Sequence, residues 1–218
     1  MTWTVSDVMT KGPVVIGPEA HFKTCAKLMQ VHELTALPVV TRDGTLLGIV
    51  SEADLIAKEA ARSPRGRTAP ASGRANALTV GELMTRELVS TTPDAPLTTA
   101  ASLMFERHLK VLPVVDDMKR LVGILSRSEV LTVFLRSDES IRRDVARELR
   151  LVPEIIRGNV EAEVREGVVH LCGGVGKESA TEFLLGLVTG IPGVVGVVSE
   201  FKPAAEPVGI AKRGDGHG

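Results

Sequence analysis

Two four-residue stretches hold the side chains best suited to chemistry: Ser51-Glu52-Ala53-Asp54 and Ser126-Arg127-Ser128-Glu129. Each sets a hydroxyl three positions ahead of a carboxylate. At a helix start this spacing makes a capping box. The hydroxyl accepts from the third helical amide, and the carboxylate accepts from the amide of the capping residue. Glu is the preferred acid there, so Ser126–Glu129 fits that use better than Ser51–Asp54. A helix start behind a glycine-containing strand offers more, because its unpaired amides and positive dipole end suit a phosphate. An aspartate one turn in can also accept hydrogen bonds from a ribose diol. From the bare residues, capping leads and sugar-phosphate recognition is the second use.

Other candidates lack a part. Gly173-Gly174-Val175-Gly176-Lys177 looks like a phosphate loop, but such a loop needs Gly where Leu171 stands and Ser or Thr where Glu178 stands. His21, His32, His108, His170 and His217 have no metal-ligand spacing among themselves or with Cys25 and Cys172. No Ser-His-Asp or Cys-His order suggests nucleophilic catalysis. Met9, Met29, Met84 and Met104 read as packing residues.

The elements that must position the two stretches come as a repeat. Thr4–Leu55 and Thr79–Val130 align without a gap, sharing Met-Thr at 9–10 and 84–85, Leu-Pro-Val-Val at 37–40 and 112–115, and Gly-Ile at 48–49 and 123–124. A repeat this long dictates the architecture: two copies of one unit pack together and leave related clefts. In the first copy Val5–Met9 reads as a short apolar turn and Pro13–Ile16 as a strand. A helix begins at His21, with Phe22, Cys25, Ala26, Leu28, Met29 and Val31 largely on one face. Strands Thr35–Thr41 and Thr45–Val50 flank a hairpin turn at Arg42-Asp43-Gly44. Ser51 then caps a helix over Glu52–Ala61.

Between the copies lies a stretch rich in Pro, Gly, Ser and Ala that carries Arg62, Arg65, Arg67 and Arg74 and no acid. It reads as a solvated linker, with a phosphate or acidic-partner contact as the second reading. The third segment offers a helix at Ser140–Leu151 and strands at Asn159–Val164 and Val168–Cys172. Gly173-Gly174 is expected to break the second of these. A helix at Ser179–Thr189 and a strand at Val194–Phe201 complete a small sheet with two helices on one face. The expected division is 3–62 and 79–136 for the repeats, 63–78 for the linker, 138–202 for the third segment and 203–218 for a disordered tail.

With 218 residues, 44% hydrophobic and 24% charged, the chain has the composition of a soluble protein with a real core. A formal charge of −1 gives no basic field for nucleic acid, and 3% aromatics with no Tyr gives no stacking platform. No apolar run approaches the ~20 residues that span a bilayer. The start, MTWTVSDVMTKG, lacks a basic end followed by an apolar run. The expectation is a cytoplasmic protein with two reduced thiols.

The doubled pattern of Met-Thr, helix, Leu-Pro-Val-Val and Gly-Ile-Val-Ser-x-x-Asp resembles a tandem pair of CBS domains, regulatory modules named after cystathionine β-synthase. The resemblance covers Trp3 to about Arg136 apart from the linker. It implies an α/β pseudo-twofold pair of strand-helix-strand-strand-helix repeats with two clefts, dimerisation, and binding of an adenine nucleotide such as AMP, ADP or ATP, with no cofactor required. The Ser-x-x-Asp work on ribose and phosphate carries over to Ser51 and Asp54, and adenine recognition to the backbone of Val14 and Val15. Phosphate contact carries over to Lys110, with Arg127 as a further contact. Glu129 departs from the pattern, so Ser126, Glu129 and Val89 mark a weaker second cleft, and one tight nucleotide is expected beside Asp54.

Residues 140–202 resemble a BON domain, a small αββαβ module, through Gly167-Val168-Val169-x-Leu171-x-Gly173 and Ile191-Pro192-Gly193-Val194-x-x-Val197. The two resemblances together imply a non-enzymatic ligand sensor that signals to a protein partner. The alternative is a membrane- or envelope-associated adaptor acting through the BON-like part, with the repeats used for assembly.

Overall fold

The computed structural model describes residues 3–60, 77–152, 160–175 and 178–203. All of the expected linker except its last two residues, and the tail beyond Pro203, lie outside them. The chain divides into two compact units, one ending at Thr132 and one beginning at Val133.

In the N-terminal unit the first repeat contains α1 (Val5–Val8), β1 (Thr10–Lys11), α2 (Phe22–Val31), β2 (Ala36–Val40), β3 (Leu46–Ser51) and α3 (Glu52–Ala60). The second contains α4 (Val80–Leu83), α5 (Leu97–Glu106), β4 (Val111–Val115), β5 (Leu121–Ser126) and α6 (Arg127–Leu131). Short as they are, α1 and α4 hold because both carry capping boxes, Thr4 with Asp7 and Thr79 with Glu82. The apolar runs of β2 and β4 are covered on both sides, and Leu37, Val39, Leu112 and Val114 are fully buried. Each run contains a proline, which has no amide to give. The structure uses only its carbonyl on the outer edge: Pro38 accepts from the Ile16 amide and Pro113 from the Thr91 amide.

The repeats exchange their N-terminal segments. β1 pairs antiparallel with β5 of the opposite repeat, Thr10 with Ile124 and Lys11 with Gly123. The equivalent pairing sets Thr85 against Ile49. The same exchange joins Val5 and Ser6 to Ala95 and Pro93, and Val80 and Gly81 to Ala20 and Pro18. It also explains a repeated glycine. A Cβ on Gly123 would lie 2.6 Å from Met9 Sδ, and one on Gly48 would lie 2.6 Å from Met84 Sδ. The expected strand at Pro13–Ile16 is reduced to one bridge, Ile16 with Val39. The regular pairing instead falls on Thr10–Lys11, where the opposite hairpin supplies a free edge. Val5–Val8 is helix, not a bare turn, because its cap is complete.

The C-terminal unit starts within a 3-10 turn (Thr132–Leu135) and continues with α7 (Asp138–Arg150), β6 (Val160–Arg165), β7 (Val168–Val175), α8 (Glu178–Thr189) and β8 (Gly196–Pro203). The sheet order is β6-β7-β8, antiparallel then parallel. Ile141, Val145 and Leu149 of α7 meet Val169, Leu171, Leu184 and Val188 in one core. Asp138 receives the amides of Glu166 and Gly167, both at 2.8 Å, and so fixes the β6–β7 turn. Gly173-Gly174 does not break β7. It is the central strand, and Gly173 is held by Val160 on one side and Phe201 on the other.

Candidate functional site

The exchange of segments builds a cavity of about 480 Å³ within the N-terminal unit. One wall is Thr10, Gly12, Pro13 and Val14, and another is Glu33, Leu34, Thr35 and Ala36 of the α2–β2 corner. The opposite repeat closes it with Lys110, Val111, Ile124, Ser126, Arg127, Ser128 and Glu129. Two cationic side chains and two carboxylates therefore face one mostly apolar space.

Local bonds fix these groups. Ser126 caps α6, accepting from the Ser128 amide at 3.2 Å. Glu129 folds back onto the Ser126 amide at 2.6 Å and onto its hydroxyl, while its other oxygen accepts from the Thr10 hydroxyl at 2.8 Å. Burial would raise the Glu129 pKa, but the bonds from Ser126 and Thr10 outweigh it and hold the carboxyl below its usual value. Arg127 is anchored through Nε, which donates to the Leu109 carbonyl at 2.9 Å, and through its amide, which donates to the Lys110 carbonyl. Glu33 occupies a left-handed corner (φ 54°), as His108 does at the equivalent place in the second repeat.

Of the residues singled out above, the structure brings Val14, Lys110, Ser126, Arg127 and Glu129 to this cavity; Ser51, Asp54, Val15 and Val89 do not line it. The expected groupings are therefore exchanged. Val14 faces Glu129 rather than Asp54, because β1 joins β5, and the segment leading to Val89 starts at Thr85 beside the hairpin that ends in Ser51. Lys110 shares the cavity with Glu129. Asp54 is only 7% exposed and accepts from the Ser51 amide at 2.9 Å and hydroxyl at 2.7 Å. It thus forms the same reciprocal cap as Glu129. Burial, helped by the Asp54 charge, pushes the Cys25 thiol up to about 11. Thr10 and Glu33 were missed; the only sequence signal was the repeated Met-Thr, whose methionine explains itself by packing. Among the described residues no group of three or more His, Cys, Asp or Glu could hold a metal, and no helix is long and apolar enough to cross a membrane.

A second concavity, about 430 Å³, runs between α5 and α6 and is lined by Ala101, Met104, Phe105, His108, Arg127, Val130 and Leu131. Arg127 borders both spaces.

Two repeats with exchanged segments, each ending a glycine-containing strand in Ser-x-x-Asp or Ser-x-x-Glu, define the CBS pair. The CBS domain family matches residues 5–60 and 80–136, and the BON domain family matches residues 137–204. The chain belongs to the CBS-domain family and carries two CBS domains followed by a BON domain. The CBS domain-containing protein YhcV of Bacillus subtilis is 33% identical over 137 residues, which are 63% of this chain and 89% of that protein. A homoserine O-acetyltransferase of Methanococcoides burtonii is 33% identical over 127 residues, 58% of this chain. The match spans only 23% of that enzyme's length. Among solved structures, CBSX2 of Arabidopsis thaliana in complex with AMP is 31% identical with a TM-score of 0.53, over 61% of this chain and 96% of that one. The CBS pair of MJ0100 in complex with 5′-methylthioadenosine and S-adenosyl-L-methionine is 26% identical with a TM-score of 0.51, over 62% of this chain and 97% of that one.

Proposed function

We propose that the CBS pair is a regulatory sensor that holds an adenine nucleotide in the cavity beside Glu129. The observation that carries this is the placement of Lys110 and Arg127 in a cavity whose opposite wall is formed by Thr10, Gly12, Pro13 and Val14. The backbone near Val14 can pair with the adenine edge, and the apolar lining can cover its faces. A ribose hydroxyl can replace Thr10 as the donor to Glu129. The two cationic side chains then meet the phosphate, with Arg127 able to give charge-assisted bonds. Adenosine-containing ligands in the complexes of CBSX2 and MJ0100 support this class of ligand.

Signalling follows if the ligand prefers one arrangement of the repeats, since it shifts the equilibrium only by its differential affinity. The readout is a protein partner. Calorimetry tests the site. AMP should bind the full chain, and Arg127→Gln should weaken it about tenfold to a hundredfold through loss of a charge-assisted bond. Asp54→Ala should cost less. Unchanged affinity in Arg127→Gln, with a large loss in Asp54→Ala, would move the site to the other cleft.

A further inference from the structure

Four charged side chains line the cavity of the N-terminal unit, Lys110 and Arg127 against Glu33 and Glu129. They are not spent on one another. Glu129 takes its bonds from Ser126 and Thr10, and these hold its carboxyl in the ionised form. Arg127 commits its Nε to the Leu109 carbonyl and leaves its terminal nitrogens to the cavity. Among the described residues the side chains of Lys110 and Glu33 enter no hydrogen bond or ion pair.

Glu33 stands where a glutamate is a poor choice for the backbone. Its φ of 54° lies in the left-handed region, and Gly or Asn usually fills such a place after a helix. The corner is fixed, because the Leu34 amide donates back to the Met29 carbonyl at 2.9 Å and closes the end of α2. The second repeat builds the same corner with His108, also at φ 54°, and the Leu109 amide donates to the Met104 carbonyl at 2.8 Å. His108 lines the concavity between α5 and α6, whereas Glu33 lines the cavity. The first corner thus sets a carboxylate at a fixed point of the cavity wall.

The two cations and two carboxylates of the lining cancel. A phosphomonoester carries a charge of about −1.5 to −2 at neutral pH, which Lys110 and Arg127 together match. Each further phosphate group adds negative charge for which the lining holds no cation, and both carboxylates repel it.

We propose that Glu33 is a specificity residue that restricts the cavity to adenosine ligands with a single phosphate and disfavours the di- and triphosphates. The proposal rests on the cavity being the nucleotide site. Glu33 is exposed, so its repulsion is screened by salt and weakens as ionic strength rises. A residue that only ended α2 would leave the ratio of AMP to ATP affinity unchanged when another residue took the corner.

Calorimetry on the full chain, without divalent cations, compares AMP with ATP for the wild type, Glu33→Gln and Glu33→Asn. At low salt the wild type should bind AMP about tenfold tighter than ATP, and high salt should narrow that ratio. Each variant should raise ATP affinity about fivefold more than AMP affinity. Asn suits the left-handed corner, so Glu33→Asn carries the test if Glu33→Gln fails to fold. Equal affinity of the wild type for AMP and ATP, or an unchanged ratio in a folded variant, overturns the role of Glu33 while leaving the nucleotide site standing. Absence of AMP binding to the wild type overturns the site and the role together.

Discussion

Gly123 shows how tightly single residues are constrained by the exchange of segments. A methyl group there meets Met9 Sδ at 2.6 Å and the Thr10 carbonyl oxygen at 3.1 Å. Gly123→Ala should therefore cost about 1–3 kcal/mol, the usual range for overpacking, and urea denaturation would measure it. A cost near zero would mean that β1 leaves β5 readily. The two thiols should also separate. Cys25 is buried and Cys172 exposed. A thiol reagent at pH 8 should label Cys172 in the folded chain and reach Cys25 only on unfolding. Because the Cys25 pKa is raised to about 11, the stability it confers is complete below its ordinary value near 9. That stability falls as pH rises from there to about 11. Rapid labelling of Cys25 in the native protein would contradict the packing described.

At the scale of elements, most of the fold was legible. The α2 stripe, the two Leu-Pro-Val-Val strands and the alternation in β6 follow from periods that depend on a few neighbouring residues. β1 was not legible, since Thr10-Lys11 becomes strand only by joining an edge in the other repeat. The same long-range pairing hid the composition of the cleft. Ser126 and Glu129 stand out from the sequence, and Val14 and Lys110 were expected from the family resemblance, but which Ser-x-x-acid faces which N-terminal segment depends on an exchange that no local pattern records. Gly173-Gly174 misled for a related reason: as a central strand with a partner on each side, β7 tolerates glycines that would end an edge strand. Leu125 of β5, between the cavity residues Ile124 and Ser126, is fully buried. Leu125→Ala should cost about 2–5 kcal/mol of stability, measured by thermal or denaturant unfolding, with loss of AMP binding only as the unit melts.

For the whole molecule, the concavity between α5 and α6 is open and apolar, with Phe105 79% and Leu131 58% exposed. Large exposed apolar side chains at neighbouring positions suit an interaction surface, and we propose self-association of the chain through this face. Light scattering should give a dimer at micromolar concentration, and Phe105→Glu with Leu131→Glu should give a monomer. A wild-type monomer would exclude self-association as the use of this face. Arg127 borders both this concavity and the cavity, so dimer strength should respond to AMP. The position of the ligand is tested most directly by a crystal structure of the chain grown with AMP. Adenine is expected against the backbone near Val14, ribose at Glu129 and phosphate between Lys110 and Arg127. Nucleotide held only by Ser51 and Asp54, with the Glu129 cavity empty, would contradict this placement.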